Sequence, residues 1–217
     1  MATFPKLSVQ ELNRIKKTVF KAESKISGEI RPALVRQSHH YPSVKWKSAA
    51  LFALVGFMML VAGDRWVPGF NIYDPLYYFF IVTGIGSVGA LLPFWIPSFK
   101  AFLVTDAEKK HAAVQKAETV FLEEEIFDTQ QRTGILIFIS FLEHEVIVMT
   151  DSGIANVVDQ KTWDDLTNNL TSYIKRGLLV EGLSKAIESC GDILLEKGFK
   201  KEEGDQNELP DHLRLEL

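Results

Sequence analysis

The chain has 217 residues, of which 47% are hydrophobic, and a formal net charge of −4. This charge balance excludes the strongly basic surface that nucleic-acid-binding proteins usually present, so we expect no nucleic-acid partner. The single cysteine, Cys190, excludes an internal disulfide and fits a reducing compartment.

The N-terminal region predicts a helix followed by a strand. Residues 8–25 predict an amphipathic helix, because Ser8 and Glu11 form a capping-box pattern. The apolar residues of this helix recur at helical spacing: Val9, Leu12, Ile15 and Val19. Residues 29–35 predict a strand, and Pro32 indicates an edge strand or a strand end, because proline lacks the N–H group that a sheet ladder needs.

The stretch 48–99 predicts a transmembrane helical hairpin. Two uncharged runs, 48–63 and 75–99, have 16 and 25 residues, whereas a hydrocarbon core of about 30 Å needs roughly 20 helical residues. Lys45 and Lys47 can extend the shorter run by placing their ammonium groups among the lipid headgroups. Aromatic side chains suited to the membrane interface flank both runs: Trp46, Trp66, Tyr73, Tyr77, Tyr78 and Trp95. A buried hairpin in a soluble core is the alternative.

The distribution of Lys and Arg predicts the orientation of this hairpin. Residues 28–47 hold four such residues, residues 100–119 hold four, and the connecting loop 64–74 holds only Arg65. By the positive-inside rule, both termini and the soluble domain face the cytoplasm, and loop 64–74 lies outside.

The rest of the chain predicts one α/β domain. After the hairpin come a helix, two strands in a hairpin and two helices: 105–127, 134–140, 146–150, 162–175 and 178 or 180 to 197. Thr105 and Glu108 form a second capping-box pattern, and strand 134–140 is apolar on both faces, as a central strand is. We therefore expect a discontinuous soluble domain, 1–47 and 100–200, with a small mixed sheet and helices on both faces. A polar tail, 201–217, follows it.

Common catalytic and metal motifs are absent from the sequence. There is no glycine-rich phosphate loop, no His-Glu-x-x-His and no nucleophile elbow. Ser140 and His144 are too close in sequence to be read as a dyad, and the adjacent His39 and His40 point in opposite directions if extended. The three glutamates 123–125 point about 100° apart on a helix, so we expect them to be solvent-exposed.

One polar set is a candidate site. Glu29 and Arg31 begin the first strand, Arg132 precedes the central strand, and Asp151 follows the next one. Polar groups at strand ends often form the sites of open α/β sheets. The alternative is a set of structural ion pairs.

Several segments resemble the TPM domain family in the order expected along the chain. These are Ser27-Gly28-Glu29-Ile30-Arg31, Arg132-Thr133-Gly134 with the strand that follows, Asp151-Ser152-Gly153-Ile154, Trp163, and Asn207-Glu208-Leu209-Pro210-Asp211. The resemblance implies a Rossmann-like α/β/α sandwich. The inserted hairpin resembles a bacterial subgroup, which implies the bacterial inner membrane.

The resemblance implies two alternative functions. Some relatives are described as acid phosphatases with calcium at acidic residues, and Glu29 and Asp151 are then the candidate catalytic and metal-binding residues. However, the family's Asp-Asn-Gly is replaced here by Arg132-Thr133-Gly134, which removes a carboxylate ligand for a hard cation. We therefore favour a non-catalytic interaction module without a cofactor, with Arg31, Arg132 and Gly153 as binding residues. The expected partners are the lipid bilayer and another membrane protein, for which the resemblance suggests a LemA-type protein.

Overall fold

The computed structural model describes residues 4–67, 74–201 and 208–216. The chain divides into two compact units, residues 1–39 with 109–217, and residues 40–108. The second unit contains the apolar stretch and interrupts the first unit in sequence.

The described residues form eight helices and four strands. In chain order they are α1 (Val9–Glu23), β1 (Glu29–Val35), α2 (Ser43–Trp66), α3 (Pro75–Trp95), α4 (Pro97–Leu103), α5 (Asp106–Glu123), β2 (Gly134–Ser140), β3 (Glu145–Thr150), α6 (Ser152–Ala155), α7 (Gln160–Lys175), α8 (Leu179–Glu196) and β4 (Arg214–Glu216). Every predicted helix and strand of the soluble part is present, with ends shifted by a few residues. Three short elements, α4, α6 and β4, were not predicted.

The first unit is an α/β sandwich built on one mixed sheet. The strand order is β3-β2-β1-β4, in which β1 runs parallel to β2 and β4, and β3 runs antiparallel to β2. One face of the sheet packs against α1, α7 and α8, and the other packs against the alanine-rich face of α5. The predicted fold class is confirmed.

Strand β2 is the centre of this sandwich. All seven of its residues are buried, because it lies between two strands and is covered by helices on both faces. A strand in this position has to be apolar at every residue rather than at alternate ones. The prediction for strand 134–140 is confirmed.

The prediction for Pro32 needs a correction, because β1 is an interior strand. The N–H of Glu29 points to β2, where it donates to Thr133 O at 3.2 Å. Because successive residues of a strand alternate in direction, the backbone groups of Ile30, Pro32 and Leu34 point away from β2. β4 pairs with β1 only from Ala33 onward. The missing N–H of Pro32 therefore falls just before the paired segment, where no neighbouring strand requires it.

The second unit is a helical hairpin. α2 and α3 pack closely, since a Cβ atom on Gly89 would lie 2.5 Å from Phe52 Cβ and one on Gly86 would lie 3.3 Å from Ala53 Cβ. Ser48 Oγ donates a hydrogen bond to Gly89 O at 2.6 Å. Both helices are long and apolar enough to cross a membrane.

The helices of the hairpin differ in length from the two predicted runs. α2 is longer than run 48–63 at both ends, and its N-terminal turn carries Lys47, which is paired with Glu108 at 2.9 Å. α3 ends at Trp95, and α4 begins at Pro97, a residue without an N–H donor. Tyr73, predicted as an interfacial anchor, lies outside the described residues.

The segment predicted as a polar tail contributes to the sandwich. Residues 214–216 form β4, and Leu209 and Leu213 are buried in the core. Asn207, part of the segment that carried the family resemblance, lies outside the described residues.

Candidate functional site

Three of the four residues in the predicted polar set lie at one end of the sheet. Glu29 is in register with Gly134, and Asp151 N–H donates to Gly134 O at 2.9 Å. Glu29, Arg132 and Asp151 therefore flank the first residue of β2. This is the amino end of the parallel strands β1 and β2, whereas open α/β sheets usually bind ligands at the carboxyl end.

The carboxylate of Asp151 is engaged within the chain. Its Oδ2 lies 2.9 Å from Arg132 Nε, and its Oδ1 accepts a hydrogen bond from Ser152 N at 2.6 Å, which caps α6. The Asp151 side chain is only 5% exposed, whereas that of Arg132 is 52% exposed and lies over the ring of Phe127. Asp151 is therefore a buried anchor, and Arg132 is the accessible member of the pair.

Gly153 holds the loop before β2 in place. Its N–H donates to Arg132 O at 3.0 Å. A Cβ atom at this position would lie 2.5 Å from Gln131 O and 2.7 Å from Arg132 O. Only glycine allows this approach of two backbone segments, and the contact positions Arg132, whose φ angle is +56°.

Glu29 is engaged by the C-terminal segment instead. Its Oε1 accepts a hydrogen bond from Glu208 N at 3.1 Å, while its Oε2 is buried with no hydrogen-bond partner among the described residues. Burial raises the pKa of this carboxyl, although hydrogen bonds from the backbone of Glu208 and Leu209 oppose the shift. Glu29 and Asp151 thus contact different partners and share none.

Glu23 is a buried acid that the sequence analysis missed. It lies on α1, and its Oε1 accepts a hydrogen bond from Ile30 N at 2.7 Å. Burial raises its pKa to about 9, and the neighbouring carboxylates of Glu29 and Asp211 add to the shift. Glu23 lies four residues after Val19 and therefore on the apolar face of the helix. This spacing was the sequence signal that its side chain is buried.

Arg31 binds the C-terminal segment of its own chain. Its side chain is buried and forms an ion pair with Glu124, and its Nη1 donates to Pro210 O at 2.6 Å and to His212 O at 2.5 Å. Glu124 is partly buried rather than solvent-exposed as predicted, because it pairs with both Arg31 and Arg214. The structure does not bring Arg31 to the Arg132–Asp151 pair.

A second polar group lies at the carboxyl end of the parallel strands, and sequence reasoning missed it. Ser140 Oγ donates to Glu143 and accepts a hydrogen bond from Ser38 Oγ at 2.8 Å. Ser38 N donates to both carboxylate oxygens of Glu143 at 3.1 Å. Ser140 and Glu143 are buried, so these groups hold the ends of β1 and β2 together. The spacing of Glu143 three residues after Ser140 was the only local signal.

The residues at the amino end do not fit the calcium ion that the family resemblance implies. In residues 4–67, 74–201 and 208–216, no three His, Cys, Asp or Glu side chains are grouped so as to hold a metal ion. The guanidinium of Arg132 occupies the position beside Asp151 where a cation would have to lie.

Comparisons with known proteins agree with this architecture. Residues 100–193 match the model of the TPM domain family. Over this range the chain is similar to the TPM domain family, and the predicted resemblance is confirmed. The segments 27–31 and 207–211, which also carried the resemblance, lie outside the matched range.

The fold is similar to that of a solved structure. That structure is the NMR structure of the BA42 protein from the psychrophilic bacterium Bizionia argentinensis, with a TM-score of 0.59 and 19% sequence identity. The alignment covers 99% of this chain and 98% of BA42. A comparison with curated proteins found no match.

Proposed function

We propose that this protein is a membrane-anchored TPM domain that acts as a non-catalytic interaction module at the bacterial inner membrane. One observation carries the proposal: the acidic residues that a phosphatase would use are bound by other parts of the chain. Asp151 pairs with Arg132 and caps α6, and Glu29 accepts from the backbone of Glu208. The guanidinium of Arg132 stays accessible at this end of the sheet, and its planar geometry suits a carboxylate of a partner protein.

The exposed surface of the hairpin supports the membrane anchor. Only 11% of the apolar window in each of α2 and α3 is buried, whereas a core helix of a soluble protein is mostly buried. Large apolar side chains face outward along both helices, among them Met58, Met59, Phe79, Phe80, Val88 and Leu91. Hydrocarbon is the solvent that stabilises such a surface.

The charges beside the hairpin support a cytoplasmic sandwich. Four Lys or Arg residues lie in 28–47 and four in 100–119, against Arg65 alone in loop 64–74. By the positive-inside rule, both termini lie in the cytoplasm. A reporter fused at residue 217 should then be active only inside the cell, and activity only outside would overturn this orientation.

Co-purification of the full-length protein from its own membranes in mild detergent tests the interaction role. We expect a stoichiometric membrane protein, with a LemA-type protein as the named candidate, that is lost in the Arg132→Ala variant. Arg14→Ala removes the same charge from an exposed position on α1 and is the matched control, which should retain the partner. A protein that purifies alone, or a partner equally retained by both variants, would contradict the proposal.

Phosphoester hydrolysis is the second candidate function. The buried, unpartnered Oε2 of Glu29 favours it, because burial raises the pKa of this carboxyl as a general acid requires. Under this alternative, Glu29→Ala and Asp151→Ala should each abolish hydrolysis of a generic aryl phosphate, tested with and without added calcium. Turnover retained by both variants would reject these residues as catalytic.

A further inference from the structure

Strand β3 lies at a lateral edge of the sheet, and its outer side has no backbone partner in the described part of the chain. Asp151 N–H donates to Gly134 O, so the backbone groups of residues 145, 147 and 149 also face β2. The N–H and C=O groups of Val146, Val148 and Thr150 therefore point away from the sheet. None of the described backbone–backbone hydrogen bonds uses them.

This edge lacks the features that usually prevent strands from pairing with other chains. Proteins protect edge strands with proline, lysine, bulges or a covering segment. β3, with the sequence Glu-Val-Ile-Val-Met-Thr, contains neither proline nor lysine, and its pairing with β2 runs without a bulge through all six residues. A regular, largely apolar strand of this kind is suited to adding another strand.

The side chains of β3 are half-buried along its whole length. Val146 and Val148 pack on the core that includes α7, while Ile147 and Met149 pack on the core that includes α5. A strand added outside β3 would cover the remaining surface of both sets and extend both cores.

We propose that β3 pairs antiparallel with β3 of a second copy of this chain, about a two-fold axis at Val148, and joins two four-stranded sheets into one of eight. The proposal rests on the geometry of β3 and does not depend on the function proposed above.

The alternation of the backbone selects this register. The groups of Val148 face those of Val148 in the second copy, and those of Val146 face those of Thr150, so all outward groups of β3 find partners. A shift by one residue would place outward groups opposite groups that already bond to β2. A shift by two residues would leave the outward groups at one end of each strand without a partner in the opposite β3.

The side chains brought together by this register are compatible. On one face Val148 meets Val148, and Val146 meets Thr150; on the other face Ile147 meets Met149. Apolar and β-branched pairs of this kind stabilise antiparallel sheets. Glu145 comes opposite Asp151 of the second copy. The Asp151 carboxylate is paired with the exposed guanidinium of Arg132, so Glu145 meets an ion pair rather than an isolated carboxylate.

Cysteine cross-linking of the full-length protein in detergent tests the register directly. In Val148→Cys the two Cα atoms lie about 5.5 Å apart, within reach of a disulfide. In the matched Val146→Cys variant, which is also outward-facing, they lie about 13 Å apart or more and cannot be joined. Cys190 does not interfere, because burial raises the pKa of its thiol to about 12.

We expect oxidation to give a covalent dimer with Val148→Cys and none with Val146→Cys. Equal cross-linking of the two variants would overturn the proposed register, and no cross-linking of either would overturn the pairing.

The mass of the protein in detergent tests the backbone contact. We expect twice 24.5 kDa for the wild type and 24.5 kDa for Val148→Pro, which removes only an outward N–H. Val148→Ala keeps that N–H and should remain dimeric. A monomeric wild type, or a dimer that persists in a folded Val148→Pro variant, would overturn the proposal. A different protein that co-purifies with the wild type and is lost in Val148→Pro would show that another chain occupies the edge.

Discussion

The two lateral edges of the sheet are treated differently by the same chain. On the β1 side, β4 covers residues 33–35, Glu23 accepts the N–H of Ile30, and Pro32 has no N–H to offer. On the β3 side, three residues of a regular strand direct outward backbone groups that no described residue of the chain pairs with. The chain thus adds its own C-terminal segment beyond β1, on what we call the closed side of the sheet, whereas none of its described residues pairs with the outer side of β3, which we call the open side.

The charged groups on the two sides differ in the same way. Arg31, on the closed side, is 2% exposed and bonds to a carboxylate and two backbone carbonyls, whereas Arg132, on the open side, is half-exposed. Removing one partner of a buried charged pair destabilises a protein strongly, whereas breaking an exposed pair costs little stability.

Arg31→Met should destabilise the protein most, because Arg31 holds the C-terminal segment on the closed side. The substitution leaves the carboxylate of Glu124 and the carbonyls of Pro210 and His212 without their donor, so we expect a loss of about 3–5 kcal/mol in the free energy of unfolding. Urea unfolding followed by tryptophan fluorescence measures it, because Trp163 is buried in the core. A loss below about 1 kcal/mol would place Arg31 among ordinary surface ion pairs.

Glu23→Gln should make the closed side more stable at neutral and higher pH. The pKa of Glu23 is raised from 4.5 to about 9 in the folded protein, so the folded state holds a proton that the unfolded state has released between these values. The wild type should therefore lose stability as the pH rises from 5 to 9, by about 3 kcal/mol at pH 7. Glutamine keeps an oxygen acceptor for the N–H of Ile30 and carries no charge.

Thermal unfolding of the wild type and Glu23→Gln at pH 5, 7 and 9 measures this effect. The two proteins should be alike at pH 5, and the variant should be increasingly more stable above it. Parallel pH profiles for the two proteins would contradict the buried, protonated state of Glu23.

Gly153→Ala tests a tight backbone contact on the open side. The new methyl group would lie 2.5 Å from Gln131 O, a backbone atom that cannot rotate away. We expect a loss of about 1–3 kcal/mol, measured by urea unfolding. Gly191→Ala is the control, because its methyl group would meet only the side chain and Cα of Ala22, at 3.3 Å and beyond, and should change stability by less.

Arg132→Met should have the smallest effect on stability. The pair is half-exposed on the arginine side, and the Asp151 carboxylate keeps its hydrogen bond from Ser152 N in the variant, so we expect a loss of at most about 1 kcal/mol. Thermal unfolding beside Arg31→Met measures the contrast directly. A loss as large as that of Arg31→Met would erase the distinction between the two sides, and it would also make Arg132 variants unsuitable as probes of partner binding.

Local patterns predicted the elements whose stability depends on neighbours in sequence. Ser8 with Glu11 and Thr105 with Glu108 form the capping boxes that begin α1 and α5. Strand β2 was recognised as central because burial on both faces demands apolar residues throughout. Glu29, Arg132 and Asp151 lie at the same end of the sheet, whereas Arg31, named with them in the sequence, contacts the C-terminal segment instead.

Long-range contacts were not predictable from these patterns. Glu124 looked like one of three exposed glutamates until Arg31 and Arg214, far away in sequence, were found beside it. Glu23 looked like an ordinary residue at the end of a helix, although the N–H of Ile30 and two further carboxylates surround it. Neither partner lies within the helix that carries the glutamate.

Sequence patterns were enough to predict the fold class, the central strand, the apolar hairpin and the family resemblance. These follow from hydrophobic periodicity, segment length and local capping, which act within one element at a time. Three features depend on the folded chain: Arg31 and Glu29 hold the C-terminal segment, β4 lies beyond β1, and no described segment pairs with the outer side of β3. Each of these depends on which segments become neighbours after folding, and no single segment carries that information.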